Sequence, residues 1–169
     1  VDLDTEPAEL SDTIASVITM MDAQFQQKHI TVDTYVEPDL PTVDLDVRRG
    51  RQILLNILSN AIKYTTDNGI IEIFVTTSND DCIRVDISDS GIGVEKEHAA
   101  NVFSEFYQAN RMRDERLGGT GIGLALTQRL VQMHDGEIGV VSPAVFNRRR
   151  MPEGTCGATF WFTLPLAVC

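Results

Sequence analysis

Apolar and polar positions along this chain follow two different periods, and the switches between them lay out its elements. Leu10, Ile14, Val17, Ile18, Met21 and Phe25 keep a 3.6-residue spacing, which predicts an amphipathic helix over 8–27 that starts at Ser11 or Glu6–Pro7. His29–Glu37 (HITVDTYVE) alternates in twos and ends at Pro38 and Pro41, the signature of a strand and a break. In QILLNILSNAIKYT, Gln52–Thr65, the residues Ile53, Leu54, Ile57, Leu58, Ala61 and Ile62 form the apolar stripe of a helix running from about Asp46 to Tyr64. Asp44 or Asp46 caps it, and Asp67–Asn68–Gly69 stops it.

A hairpin follows, with strands Ile70–Ser78 and Cys82–Ser88 around the turn Asn79–Asp80–Asp81. Asp89–Ser90–Gly91–Ile92–Gly93 breaks the second strand. Glu95–Phe106 reads as a short helix with Val102, Phe103 and Phe106 as its apolar contacts. Residues 107–118 are charged and weakly periodic, which predicts a mobile loop. Gly119–Gly123 opens a helix carrying Leu124, Ala125, Leu126, Leu130 and Val131, closed by His134–Asp135–Gly136. Ile138–Val141 is a strand, Ser142–Gly157 a loop, and Ala158–Leu164 a closing strand. Because several strands are sequential neighbours, this order predicts one α/β domain over 1–169. Its architecture is a two-layer sandwich, a mixed and mainly antiparallel sheet covered on one face by about three helices.

Composition narrows the function classes. A net charge of -11 argues against a nucleic-acid surface, and the one basic cluster, Arg148–Arg149–Arg150, sits in a Pro-flanked segment expected to be a solvated loop. No apolar run approaches the roughly 20 residues of a membrane span, and VDLDTEP lacks the basic and apolar regions of a signal peptide. Cys82, Cys156 and Cys169 form no CxxC pattern and are expected to be free thiols in a reducing compartment. Three scattered histidines make no metal site.

Candidate chemistry lies in three places. Asn56, Asn60 and Lys63 stand at i, i+4 and i+7 beside the apolar stripe, a polar row suited to a ligand rich in oxygen and charge. Gly119–Thr120–Gly121–Ile122–Gly123 precedes a helix, so its backbone N–H groups and the helix dipole favour a phosphate. No Gly-Lys-Ser/Thr follows, so it is not a Walker loop, and no strand leads into it, so it is a poor Rossmann fingerprint. Asp89, at a strand end, offers a carboxylate to an amino group such as that of adenine, or else simply caps the next helix.

In this order the motifs resemble those of sensor histidine kinases. Asn56–Thr65 is similar to their N-box, Asp89–Gly93 to the first glycine box, Val102–Phe106 to the phenylalanine box and Gly119–Leu124 to the second glycine box, with 107–118 in the place of the ATP lid. The resemblance implies an ATP-binding catalytic domain of the Bergerat fold, shared with gyrase-like ATPases and heat-shock chaperones. It implies Mg2+ on Asn60, metal or phosphate positioned by Asn56, phosphate reached by Lys63, and adenine packed on Tyr64 and read by Asp89. Gly91, Ile92 and Gly93 would lie close to the base and the lid. Gly119, Thr120, Gly121, Gly123 and Leu124 would frame the triphosphate, and Phe103 and Phe106 would anchor the lid.

The implied reaction is transfer of the γ-phosphate from Mg-ATP to a histidine on a separate dimerisation domain, which makes the homodimer, followed by a response regulator or receiver domain. The alternatives are a regulatory nucleotide-binding module and a hydrolytic ATPase. The implied setting is a cytoplasmic domain of a soluble or membrane-anchored parent. None of His29, His98 and His134 sits in an acceptor motif, so the phosphorylated domain is expected upstream of Val1 and the chain is not expected to autophosphorylate alone. Three departures stand out. Glu115 replaces an arginine frequent in the family, with Arg111, Arg113 and Arg116 nearby. Asp135 replaces a frequent glycine, and the 142–157 loop is longer than usual.

Overall fold

The alternating segments pair into one five-stranded sheet in the computed structural model, which describes residues 2–79, 81–99, 101–103 and 122–167. In chain order the elements are β1 (Glu6–Ala8), α1 (Leu10–Met20), α2 (Asp22–Gln27), β2 (Thr31–Val36), β3 (Val43–Leu45) and α3 (Val47–Tyr64). There follow β4 (Ile70–Ser78), β5 (Cys82–Asp89), α4 (Lys96–Ala99), α5 (Ile122–Met133), β6 (Ile138–Val141) and β7 (Ala158–Pro165). The sheet runs β2-β4-β5-β7-β6, with β2 parallel to β4 and every other pair antiparallel.

Strand alternation sends Ile71, Ile73 and Val75 of β4, Ile83, Val85 and Ile87 of β5, and Ala158, Phe160, Phe162 and Leu164 of β7 to one face. There they meet the stripes of α1, α3 and α5. Ile53, Leu54, Ile57 and Leu58 of α3 are essentially inaccessible, and each such side chain contributes about 1.5–3 kcal/mol by burial. That sum far exceeds the ~1 kcal/mol cost of Gly50 inside the helix, so packing rather than propensity holds α3.

Both ends of α3 are fastened from elsewhere in the chain. Asp46 is the N-cap, its carboxylate accepting from Arg49 N at 3.3 Å and from Asp4 N at 3.0 Å. Burial pushes this carboxyl up, but the two backbone N–H groups, with the nearby Arg49, outweigh it and hold it below the usual range. The buried His134 imidazole accepts the Asp46 N–H at Nε2 (3.1 Å) while Nδ1 meets Leu130 O at 2.8 Å. That pattern requires the neutral, Nδ1-protonated ring and ties the end of α5 to the start of α3. At the other end, Lys28 Nζ donates to Ile62 O, Lys63 O and Thr65 O at 2.7, 3.2 and 2.9 Å, closing the last carbonyls of the helix.

Four expectations need correction. The 8–27 run is two helices broken at Met21, since periodicity reports which face is buried and not whether the backbone is continuous. Neither Ser11 nor Glu6–Pro7 starts the first one. Its N-cap is Glu9, with no side-chain cap bond, and Glu6–Ala8 pairs antiparallel with Val43–Leu45 as a separate two-stranded ribbon. Three-residue strands are too short to carry a pattern. Of Glu95–Phe106, only Lys96–Ala99 is helical among the described residues; Val102 and Phe103 lie in a turn, and Phe106 lies outside those residues.

The fourth correction concerns the 142–157 loop, which has no regular structure but is not merely solvated. It crosses the sheet face opposite the helices. There the fully buried carboxylate of Glu72 accepts from Asn147 N (2.8 Å), Asn147 Nδ2 (3.3 Å) and Arg148 N (3.0 Å). Ser88 Oγ donates to Val145 O, and Val145 N donates to Thr159 Oγ1. Arg148 and Arg149 each reach Asp33 at 3.7 Å, and the Arg148 guanidinium lies 5.2 Å from the Tyr35 ring centre.

Candidate functional site

The polar row of α3 faces two different neighbours. Asn56 is turned to the first turn of α5, where its Nδ2 donates to Gly123 O at 3.3 Å and to Thr127 Oγ1 at 3.0 Å. The two acceptors stand 2.6 Å apart and share one edge of the carboxamide nitrogen, so the group that Asn56 turns away from α5 is its acceptor oxygen Oδ1. Asn60, one turn on, is half-buried. Lys63 follows, its Nζ 5.6 Å from the centre of the Tyr64 ring.

Tyr64 joins this row to the Asp89–Gly93 turn. Its carbonyl accepts from Ile92 N at 3.3 Å, and a Cβ on Gly91 would run into that same carbonyl, so the turn can close on α3 only with glycine there. Gly93 has φ +79 and is hemmed in by Cys156, Ser142 and Gly157. The turn is also held by Gly157 N donating to Gly91 O at 2.8 Å. Ile92, between the two glycines, is 55% exposed.

Asp89 closes β5 and is only 3% exposed. Burial raises its carboxyl to a pKa of about 6, although the Gly91 and Ala158 N–H groups pull in the other direction. The Gly91 N–H bond to Asp89 Oδ1 is 2.9 Å. A desolvated carboxylate with so few donors is a poor structural choice and a good acceptor for an incoming N–H group. The helix-cap reading of Asp89 does not hold, since α4 begins only at Lys96.

On the α5 side, Leu124 is buried in the core, so its side chain is packing. Gly123 is different. Among the described residues, a Cβ there would meet nothing nearer than Asn56 Cγ at 3.9 Å, so none of them demands glycine. Phe103 stacks edge-on against Phe160, ring centres 6.2 Å apart, which places it in the core. Gly119, Thr120, Gly121, Phe106, Glu115, the three nearby arginines and the 107–118 segment lie outside the described residues.

One neighbourhood thus assembles carboxamides and an ammonium on α3, a buried carboxylate on β5, a glycine turn between them, and the first turn of α5. Residues 45–168 match the family described as "Histidine kinase-, DNA gyrase B-, and HSP90-like ATPase". The chain belongs to this family. It is 34% identical over 158 residues to the adaptive-response sensory kinase SasA of Prochlorococcus marinus (strain MIT 9215), covering 94% of this chain and 40% of that protein. It is 35% identical over 156 residues to hybrid signal transduction histidine kinase B of Dictyostelium discoideum, covering 89% of this chain and 7% of that one. The chain therefore spans well under two thirds of these relatives.

Among solved structures, full-length ShkA in complex with AMPPNP superposes with a TM-score of 0.81 at 30% identity, covering 100% of this chain and 32% of ShkA. Histidine kinase ThkA in complex with the response regulator protein TrrA shares the fold, with a TM-score of 0.73 at 22% identity, covering 96% of this chain and 42% of that one. The sandwich is thus the Bergerat fold of this family. Among the described residues, no helix is long and apolar enough to cross a membrane.

Sequence reasoning missed three residues that set this geometry: Lys28, Glu72 and Thr127. Two of them carried a signal. Glu72 interrupts an apolar run of β4, and Thr127 interrupts the apolar stripe Leu124, Leu130, Val131 of α5. A polar residue at a core position demands a partner.

Proposed function

We propose that residues 1–169 form a single ATP-binding catalytic domain with 107–118 as its lid. It binds Mg-ATP and transfers the γ-phosphate to a histidine of a separate dimerisation domain, and a response regulator receives it next. In this reading Asp89 accepts from the adenine amino group and Tyr64 packs on the ring. Lys63 and the amides of Gly119, Thr120, Gly121 and Gly123 hold the phosphates, and Phe106 anchors the lid. Asn60, with Asn56 beside it, offers carboxamide oxygens, hard neutral ligands of the kind Mg2+ takes while keeping several waters. The ion, when bound, supplies charge neutralisation for the phosphates. The chain's own residues supply positioning, with Lys63 offsetting charge on the transferring group.

The observation that carries transfer rather than hydrolysis is the state of Asn56. A glutamate at this position activates water in hydrolytic members of the family. Here a carboxamide stands in its place, its nitrogen engaged by α5, and it cannot take a proton from water at neutral pH. The test joins the chain to a helical histidine-bearing domain and looks for acid-labile, base-stable phosphate on the histidine. ATP binding without such phosphate, or fast release of inorganic phosphate by the chain alone, would overturn the reading.

A further inference from the structure

Resting on the nucleotide site proposed above, we propose that Thr127 is a positioning residue, which fixes Asn56 with its oxygen toward the metal and locks α3 to the first turn of α5. Thr127 is fully buried, in line with Leu124 and Val131, so its hydroxyl is costly there unless bonded. It makes two bonds. Oγ1 donates to Gly123 O at 2.6 Å and accepts from Asn56 Nδ2 at 3.0 Å. The same carboxamide nitrogen also reaches Gly123 O at 3.3 Å, which closes a triangle of carbonyl, hydroxyl and carboxamide.

The triangle decides which way Asn56 points. With the carboxamide flipped, Oδ1 would face the Gly123 carbonyl and a hydroxyl whose proton is already committed, two acceptors against an acceptor. A threonine bonded back to the carbonyl four residues earlier is common in helices and by itself structural. That ordinary role does not explain why the hydroxyl lone pair is spent on a side chain of another helix. The consequence is that the metal side of the site, on α3, and the phosphate side, at the start of α5, are held as one unit before any ligand arrives.

The experiment measures ATP affinity by calorimetry with excess EDTA and with Mg2+, in the wild type and in Thr127→Val, Thr127→Ser, Asn56→Ala and the Asn56→Ala/Thr127→Val double variant. The readout is the gain in affinity that Mg2+ gives. Thr127→Val should cut this gain about fivefold, the weight of one net hydrogen bond, while the metal-free affinity stays put; Thr127→Ser should restore it. On the Asn56→Ala background, Thr127→Val should change the gain no further. An unchanged gain in Thr127→Val, or an equal loss on the Asn56→Ala background, overturns the role of Thr127. A wild type with no gain from Mg2+ overturns the metal site itself. Should Thr127→Val fail to fold, NMR of the wild type without nucleotide decides. One Asn56 side-chain amide proton should be protected from exchange, and rapid exchange of both sinks the inference.

Discussion

Asp89→Asn should make the empty protein more stable while ruining its site, and the gain should have a defined pH dependence. The carboxyl titrates at about 6 in the folded chain, against 3.8 for an ordinary aspartate, because burial penalises its charge. Between those values the unfolded chain has released the proton and the folded chain still holds it. The unfolded state therefore binds fewer protons, and stability falls as pH rises. Below pH ~4 the penalty is absent; above pH ~7 it is complete. At about 1.4 kcal/mol per unit, the shift corresponds to roughly 3 kcal/mol, or nearer 2 kcal/mol with allowance for water reaching the ligand-facing side of the carboxylate.

Asparagine keeps an oxygen for the Gly91 N–H (2.9 Å in the wild type) and carries no charge. Urea unfolding of both proteins from pH 4 to 8 should show no difference near pH 4 and a gain of about 2 kcal/mol for the variant at pH 7.5. The same change should weaken ATP about 10- to 100-fold, since it removes a charged acceptor. For the wild type, ATP affinity should fall as pH drops below about 6, where the acceptor is protonated. A variant no more stable at pH 7.5, or a gain that persists unchanged to pH 4, would refute the desolvated carboxylate.

The remaining predictions probe other parts of the site and its support. Gly123→Ala meets no obstacle among the described residues and should hold or raise stability by up to ~1 kcal/mol while weakening Mg-ATP. Gly91→Ala drives a Cβ into the Tyr64 carbonyl and should cost about 2 kcal/mol in a urea melt; equal behaviour of the two variants would mean that the glycines are not divided between ligand and protein as described. Asn60→Ala should lower ATP affinity in the presence of Mg2+ and leave it unchanged in EDTA, and an equal loss in both would remove Asn60 from the metal. Glu72→Gln replaces one acceptor oxygen by an amide that opposes a backbone N–H of the 142–157 loop. It should destabilise by about 1–3 kcal/mol, with faster proteolysis of that loop as the check.

The fold was readable where burial imposes a period and unreadable where geometry depends on partners distant in sequence. The stripe of α3 and the alternation of β4, β5 and β7 are local records of one-sided burial, and their bounds lie within a residue or two of those expected. Met21 could break the first helix unseen because it still points into the core. The β1–β3 ribbon joins residues nearly forty apart through backbone groups, which leave no trace in side-chain pattern. Consecutive arginines give the loop over the second sheet face the pattern of a solvated segment. What holds it is a glutamate of β4, about 75 residues away.

The site divides along the same line, and Asn56 shows why. Residue type and spacing placed it beside Asn60 on one helix face, as two equivalent carboxamides. A carboxamide is chemically two-sided, and which side meets the ligand is set by what occupies the other. Gly123 and Thr127, some seventy residues downstream, take the donor side of Asn56. The oxygen turned away from α5 suits a cation, and a carboxamide takes no proton from water. The proposed preference for transfer over hydrolysis therefore rests on two features together: an uncharged residue where a carboxylate would act as base, and a second helix that fixes which of its atoms faces the site.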